Sequence, residues 1–432
     1  AGIANTLIGG LTGDAITTGA RNTALGQDAL TLLTEGADNT AIGKNALEGD
    51  TKGSKSVAVG KSALGGQNFS SATDTHNTAV GYNAGVEVTT GVNNTLIGAL
   101  AGDALAASNN NVAVGKGSLS AETTGGNSTA IGTHALTSQN VGSGANVQST
   151  AVGYDAGQAI TSGVNNTIVG AYAGDAFTTG NRNTLIGRTA GTALATSNSD
   201  NTFIGEACGS AMTTGDANTF IGRYNGEAGL DLRTASNNIV LSDGDGTPRG
   251  YYLGSADQWI FKGQDTGQYA FQIQHTVSSA SPYGLIIDFT ASAPNNTTQA
   301  FLVCADSSAV RLEIKSNGNV VNANNSYGST SDVKLKENIV DAASQWDDIK
   351  ALTVRKYSMK ADELDAPNML GVIAQEVETA GMSGLVNESP DIDKDMNDLG
   401  TTTKSVNYSI LYMKAVKALQ EAMTRIETLE TK

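Results

Sequence analysis

The sequence predicts a mainly β chain: an elongated parallel β-roll of 17-residue coils, then a small β-sandwich or β-prism, then an α+β region ending in a coiled coil. Three observations predict it. A pentapeptide of the form Asn-Thr-Leu-Ile-Gly recurs through the N-terminal half. Aromatic residues then gather from Tyr251 to Phe301, and after about residue 327 the chain becomes charged and helical in pattern.

The pentapeptide ends at Gly9 and again at Gly26, Gly43, Gly60, Gly81, Gly98, Gly115, Gly132, Gly153, Gly170, Gly187, Gly205 and Gly222, thirteen copies in all. The interval is 17 residues nearly everywhere, 21 before Gly81 and Gly153 and 18 before Gly205. Insertions therefore fall between copies and never inside one, so one copy is one turn of a repeat architecture. The residue before each Gly is Ile, Val or Leu, and strand period places it on the same face as the Thr or Val two residues earlier. The residue between them (Leu7, Ala24, Ala41, Leu96, Ile168, Phe203, Phe220) points to the opposite face. Both faces are apolar, yet a coil buries only one in its own interior, so the other face calls for cover by a neighbouring chain. Ala29, Ala46, Ala63 and their equivalents, three residues after the motif Gly, suit the inside of a narrow coil. Segments such as Thr17–Gly19 and Thr89–Gly91 read as corners, where Gly permits positive φ. The opening Asn (Asn5, Asn22, Asn39, Asn94, Asn166, Asn183, Asn218) reads as a stacked amide row along the fibre. At about 4.8 Å per coil the array makes a rod of about 60 Å.

Composition bounds the function. Gly is common (52) and Pro rare (5), with no collagen period. The net charge of −16 repels phosphate and anionic headgroups, so nucleic acid is not expected as a partner. No apolar run is long enough to insert in a membrane. Cys208 and Cys304 lie far apart, and His76, His134 and His275 have no partner at a ligand spacing, so neither a metal nor any other cofactor is expected. The Ser242–Gly246 segment lacks the acidic residues of a complete calcium loop and reads as a hairpin turn. With no Met at position 1 and repeat phase from the first residues, the sequence reads as a processed chain or a fragment.

Between the repeat and the charged region, Ala270–His275, Gly284–Phe289, Ala300–Ala305 and Val310–Lys315 alternate like strands of an antiparallel module. The domains expected are thus 1–235 for the repeat, 236–326 for this β-rich module, which would face a receptor, and 327–432 for the last region, with its helix at 405–432. That helix carries Tyr412, Val416, Leu419, Met423 and Ile426 in alternating steps of four and three, a trimerising coiled-coil seam.

The repeat resembles the β-roll heads of trimeric autotransporter adhesins and the Asn-Thr-Ala-Ile-Gly arrays of phage tail fibres. The segment Ser331-Asp332-Val333-Lys334-Leu335-Lys336-Glu337-Asn338-Ile339, followed by Val354–Met359, Leu370–Val377 and Val406–Ser409, resembles the endosialidase-type intramolecular chaperone auto-processing domain of phage tailspikes and tail fibres. The two resemblances imply a homotrimeric left-handed parallel β-roll bearing a C-terminal chaperone. They imply Ser331 as nucleophile, Lys336 as its base and Thr330–Ser331 as the bond cut. A Ser hydroxyl needs a base, and a Lys serves once desolvation lowers its pKa. Asp332 reads as a helix N-cap. Any enzymatic activity is a single-turnover self-cleavage, with none expected on external substrates. The implied function is a virion tail-fibre protein outside the host cell. Its partners would be itself, a host surface glycan or protein receptor, and other virion tail proteins at the N-terminal end. The alternative is a bacterial cell-surface trimeric adhesin or extracellular filament subunit using the same chaperone. About 100 residues between repeat and chaperone are too few for the catalytic β-helix of a glycan-cleaving tailspike.

Overall fold

The computed structural model describes residues 3–142, 146–262, 287, 298–316, 318–323, 331–358, 368–392 and 398–432. The chain divides into two compact units, Ala1–Ile273 and Gln274–Lys432.

The first unit is a β-solenoid. The thirteen motif strands, from Thr6–Ile8 to Thr219–Ile221, pair in parallel and in register, first position on first (Thr or Val) and third on third (Ile, Val or Leu). The stack runs one strand further than the thirteen copies: Ile239–Ser242 pairs with Thr219–Ile221, with Ser242 where the motif has Gly. Two antiparallel strands, Pro248–Leu253 and Gln258–Phe261, then close the sheet. Ser242–Gly246 is the hairpin turn expected. Asp243 Oδ1 accepts the N–H groups of Asp245 and Thr247 at 3.1 and 3.0 Å, which holds its carboxyl below the ordinary range.

Which strand face is inside follows from burial. The middle residue of each motif from Ala24 to Phe220 is sealed, whereas the flanking Thr and Ile or Val rows face outward, half-buried to exposed. The small residues three positions after the motif Gly are also sealed, from Ala29 to Cys208. Interior volume is shared within a coil. Where the middle residue is Ala24, Ala41, Ala58, Ala113 or Ala130, the position four after the motif Gly is Leu30, Leu47, Leu64, Leu119 or Leu136. Where it is Leu96 or Leu185, that position is Gly102 or Gly191, on which a Cβ would come within 2.8 and 2.9 Å of the leucine's Cδ2. A close-packed interior accepts one large side chain there and not two.

Glycine at the corners has a different cause from the one expected. Gly19, Gly36, Gly91 and Gly163 do not have positive φ. A Cβ on Gly19 would instead lie 2.5 Å from the carbonyl oxygen of Gly36 on the next coil, so the corners need Gly for close stacking. Positive φ belongs to the motif Gly, such as Gly43 at 131°, and to three non-motif positions per coil, among them Asp28, Leu30 and Asp38.

The Asn row is buried and more firmly tied than a chain of amide–amide bonds. Asn22 Oδ1 accepts the backbone N–H of Asn39 at 3.0 Å, and Asn22 Nδ2 donates to the Gly36 carbonyl at 2.9 Å. The same pair of bonds recurs at Asn39, Asn94 and Asn166. Each side chain thus satisfies groups of the neighbouring coil that would otherwise be buried unpaired.

Two buried carboxylates supply the acceptors at the corners that precede the 21-residue coils. At three other corners three N–H groups share one carbonyl of the next coil, as those of Thr17, Thr18 and Gly19 share Thr34 O at 3.0 to 3.2 Å. Where the next coil is the 21-residue one, the acceptor comes from within the coil. Glu122 Oε1 takes the N–H groups of Thr123, Thr124 and Gly125 at 3.0, 3.1 and 2.7 Å. Asp50 Oδ1 takes that of Gly53 at 3.0 Å, and its Oδ2 accepts Gln67 Nε2 at 2.6 Å. Burial raises the Asp50 carboxyl above its ordinary pKa, against those bonds. Cys208 is a packing residue: burial pushes its thiol up to about 12.

In the second unit, Ala300–Ala305, Val310–Lys315 and Val320–Asn322 form an antiparallel sheet, as two of the alternating runs predict. Ala270–His275 falls outside the described residues, as does Gly284–Phe289 apart from Ile287. Residues 331–432 combine a one-turn 3-10 helix (Val333–Leu335), helix α1 (Trp346–Ala351), helix α2 (Ala374–Thr379), helix α3 (Tyr408–Glu430) and two strand pairs.

Candidate processing and trimerisation site

The local sequence explains how Ser331 meets Lys336. Asp332 is the N-cap expected, its Oδ1 accepting the Lys334 N–H at 3.0 Å, although the helix it caps is a single 3-10 turn. The turn ends at Lys336, whose N–H bonds to Val333 O at 3.1 Å and whose backbone is extended. Reversal over one turn brings Lys336 Nζ to 2.6 Å from Ser331 Oγ, the five-residue spacing closing where a regular α-helix would not align them. In this arrangement the ammonium donates to the hydroxyl. Both side chains are exposed, as are Val333, Leu335 and Ile339, so the described residues around the pair leave it in contact with solvent. Thr330 lies outside the described residues, as does Met359 of the second matching stretch.

The other stretches hold the fold behind this turn. The strand Met369–Gly371 pairs with Arg355–Tyr357 and runs into α2, where Glu376 takes a forked bond from Arg355 at 2.7 to 3.1 Å. The guanidinium holds the Glu376 carboxyl below its ordinary range. Glu378 likewise pairs with Lys404 at 2.8 Å and raises its pKa. Tyr408 Oη accepts the Val372 N–H at 3.1 Å, and a Cβ on Gly371 would reach 2.6 Å from that oxygen.

Helix α3 has two seams. Leu411, Lys414, Ala418, Glu421 and Arg425 turn toward their own chain. Lys414 pairs with Asp348 at 2.6 Å, Glu421 accepts from Ser344 and Gln345, and Arg425 lies 4.2 Å over the Trp346 ring. Tyr412, Val416, Leu419, Met423 and Ile426 form the other seam, and every one is exposed.

Residues 331–387 match the family model described as chaperone of endosialidase, the match opening at Ser331 itself. The C-terminal segment is a chaperone-of-endosialidase domain. No curated protein and no solved structure matches the chain. The chaperone domain implies trimerisation, and with the solenoid before it the chain has the layout of a tailspike-like or endosialidase-like fibre. No helix among the described residues is long and apolar enough to cross a membrane, and no cluster among them is arranged to hold a metal ion.

Sequence reasoning missed Asp50 and Glu122, and for His134 it looked only for a His or Cys partner at a ligand spacing. His134 Nδ1 lies 3.2 Å from Asp155 Oδ1. One signal was available for the carboxylates: coil intervals of 17, 17, 17 and 21 make a longer unit of 72 residues, in which Asp50–Gln67 is repeated as Glu122–Gln139.

Proposed function

We propose that the chain is a homotrimeric tail-fibre protein of a phage-like virus, exposed on the virion and mediating host attachment, with residues 327–432 assembling three chains before cutting themselves away. The observation that carries this reading is the exposed α3 seam, an apolar row on a charged helix within a chaperone domain. A row so spaced is stable when packed against copies of itself. The outward Ile and Val row of the solenoid is a second surface for the same three chains, which bury there what each alone leaves in water. Alignment at the C-terminus makes coil-on-coil association effectively intramolecular and sets a register that near-identical coils do not set themselves.

Self-cleavage uses Ser331 and Lys336. Once neighbouring chains desolvate it, Lys336 gives up its proton and accepts that of Ser331 Oγ as the oxygen attacks the carbonyl carbon of Thr330. The C–N bond to Ser331 then breaks, its nitrogen takes the proton from Lys336, and water hydrolyses the resulting ester. Loss of the chaperone removes the route back to separate chains and makes the fibre kinetically stable.

Intact and native mass of wild type beside Ser331→Ala tests the proposal. Wild type is expected as a trimer of chains ending at Thr330, and the variant as a trimer of full-length chains. Full-length trimers in both would overturn the cleavage, and monomers in both would overturn the fibre.

A further inference from the structure

Two positions after the motif Gly, the backbone of every coil from the second to the twelfth is left-handed. Such positions favour small polar residues, and the solenoid places Asp28, Asn45, Ser62 and Asn83 there. On three successive coils it places His134, Asp155 and Tyr172, at φ of 57°, 53° and 58°, so that two rings flank an ordinary Asp. Tyr154 stands beside Asp155. The fold gains little from these rings, since Tyr154 and Tyr172 remain 47% and 41% exposed. In the preceding 72-residue unit Tyr82 occupies the place of Tyr154, but Asn83 stands for Asp155, Leu100 for Tyr172 and Ser62 for His134, so only one such cluster is complete.

The rings form a continuous run across the coils. Tyr154 and Tyr172 meet edge to face with centroids 5.3 Å apart, and the His134 ring lies 6.4 Å from Tyr154 on the other side. The nearly buried Asp155 carboxylate fixes the run from beneath, 3.2 Å from His134 Nδ1. With Nδ1 engaged, Nε2 of His134 is the imidazole nitrogen left to face a ligand.

We propose that this aromatic run binds a neutral glycan chain lying along the coil axis, its sugar rings stacked on Tyr154 and Tyr172 and a hydroxyl bonded to His134 Nε2. The inference rests on the attachment reading above and gives it a site. Exposed aromatic faces carry a negative quadrupole that attracts the polarised C–H face of a pyranose. Coils follow one another at about 4.8 Å, close to the length of one sugar unit, so successive coils address successive sugars. The chain's net charge of −16 disfavours a polyanion. One position after the motif Gly, where Tyr154 stands, the coils beyond Tyr172 carry Arg188, Glu206 and Arg223, paired at 3.3 and 2.6 Å and so neutralised among themselves.

The test uses the full chain on an array printed with neutral hexose and N-acetylhexosamine oligosaccharides and their sialylated counterparts. It compares wild type, Tyr154→Ala, Tyr172→Ala, Tyr154→Phe and Tyr82→Ala, with native mass taken on each. Wild type is expected to bind neutral spots. Each Tyr→Ala change at 154 or 172 should weaken binding roughly tenfold with the trimer intact, while Tyr154→Phe and Tyr82→Ala bind as wild type. Three results would overturn the site: no neutral spot bound by trimeric wild type, a preference for the sialylated spots, or undiminished binding by both alanine variants. Loss of the trimer in those variants would make the rings an interchain contact instead. A monomeric wild type would be a failure of the fibre reading, distinct from any of these.

Discussion

In the solenoid, the inward row from Ala24 to Phe220 is sealed coil after coil, and the outward Thr and Ile or Val rows lie half-buried to exposed. In residues 331–432 the buried cluster comes down to Val377, Met382, Leu385 and Leu411, while Val340, Val354, Leu370 and the whole second seam of α3 lie exposed. The two regions divide the labour of assembly. A solenoid coil finishes its core with the coil beside it, through neighbour-only contacts that any coil can repeat. Among its described residues the chaperone domain has a small core and an exposed seam, and on the trimer reading other chains cover that seam.

The comparison breaks most completely at the seam. Leu419→Lys with Ile426→Lys leaves the inward-turned face of α3 untouched, and sedimentation is expected to show trimer replaced by monomer. A smaller loss is expected inside the solenoid. Phe203 is sealed and stacks on Phe220 with centroids 4.9 Å apart, so Phe203→Ala should cost about 3–5 kcal/mol in urea unfolding while the trimer persists. If that variant dissociates instead, the two regions are not independent in the way their cores suggest.

The smallest effect sharpens the contrast between ordinary and repaired corners. Asp50 has its pKa raised in the folded chain, so the folded state binds a proton more tightly than the unfolded one. Stability from this group is therefore greatest below the ordinary carboxylate range and is lost as pH rises through the raised value. Thermal melts of wild type and Asp50→Asn should show wild type gaining on the variant as pH falls through that window. A difference independent of pH would remove the buried carboxylate from this account.

Much of this was legible in the chain. The 17-residue interval, the apolar Ile row, the inward Ala29 series and the α3 seam are periodic, and periodicity survives without coordinates. Asp332 as a cap was legible because a capping side chain acts within a few residues. What escaped depended on neighbours distant in sequence. Gly19 looks like a flexible corner until the Gly36 carbonyl is seen pressing on it. Leu30 looks like any core leucine, and its left-handed backbone appears only in the folded coil. Ile239–Ser242 hid behind a 20-residue step and a Ser in the motif's last place.

Coil length, strand row and the chaperone motif were settled by residue order, because each depends on side chains a few positions apart. The tertiary structure decided why the corners must be Gly, which N–H groups Asp50 and Glu122 satisfy, and how Tyr154, Tyr172 and His134 come to share one surface. The corners and the shared surface rest on contact between coils 17 to 21 residues apart in sequence and one strand apart in space. Such contacts exist only once the chain has wound upon itself, when a carbonyl or a ring from one coil meets the next.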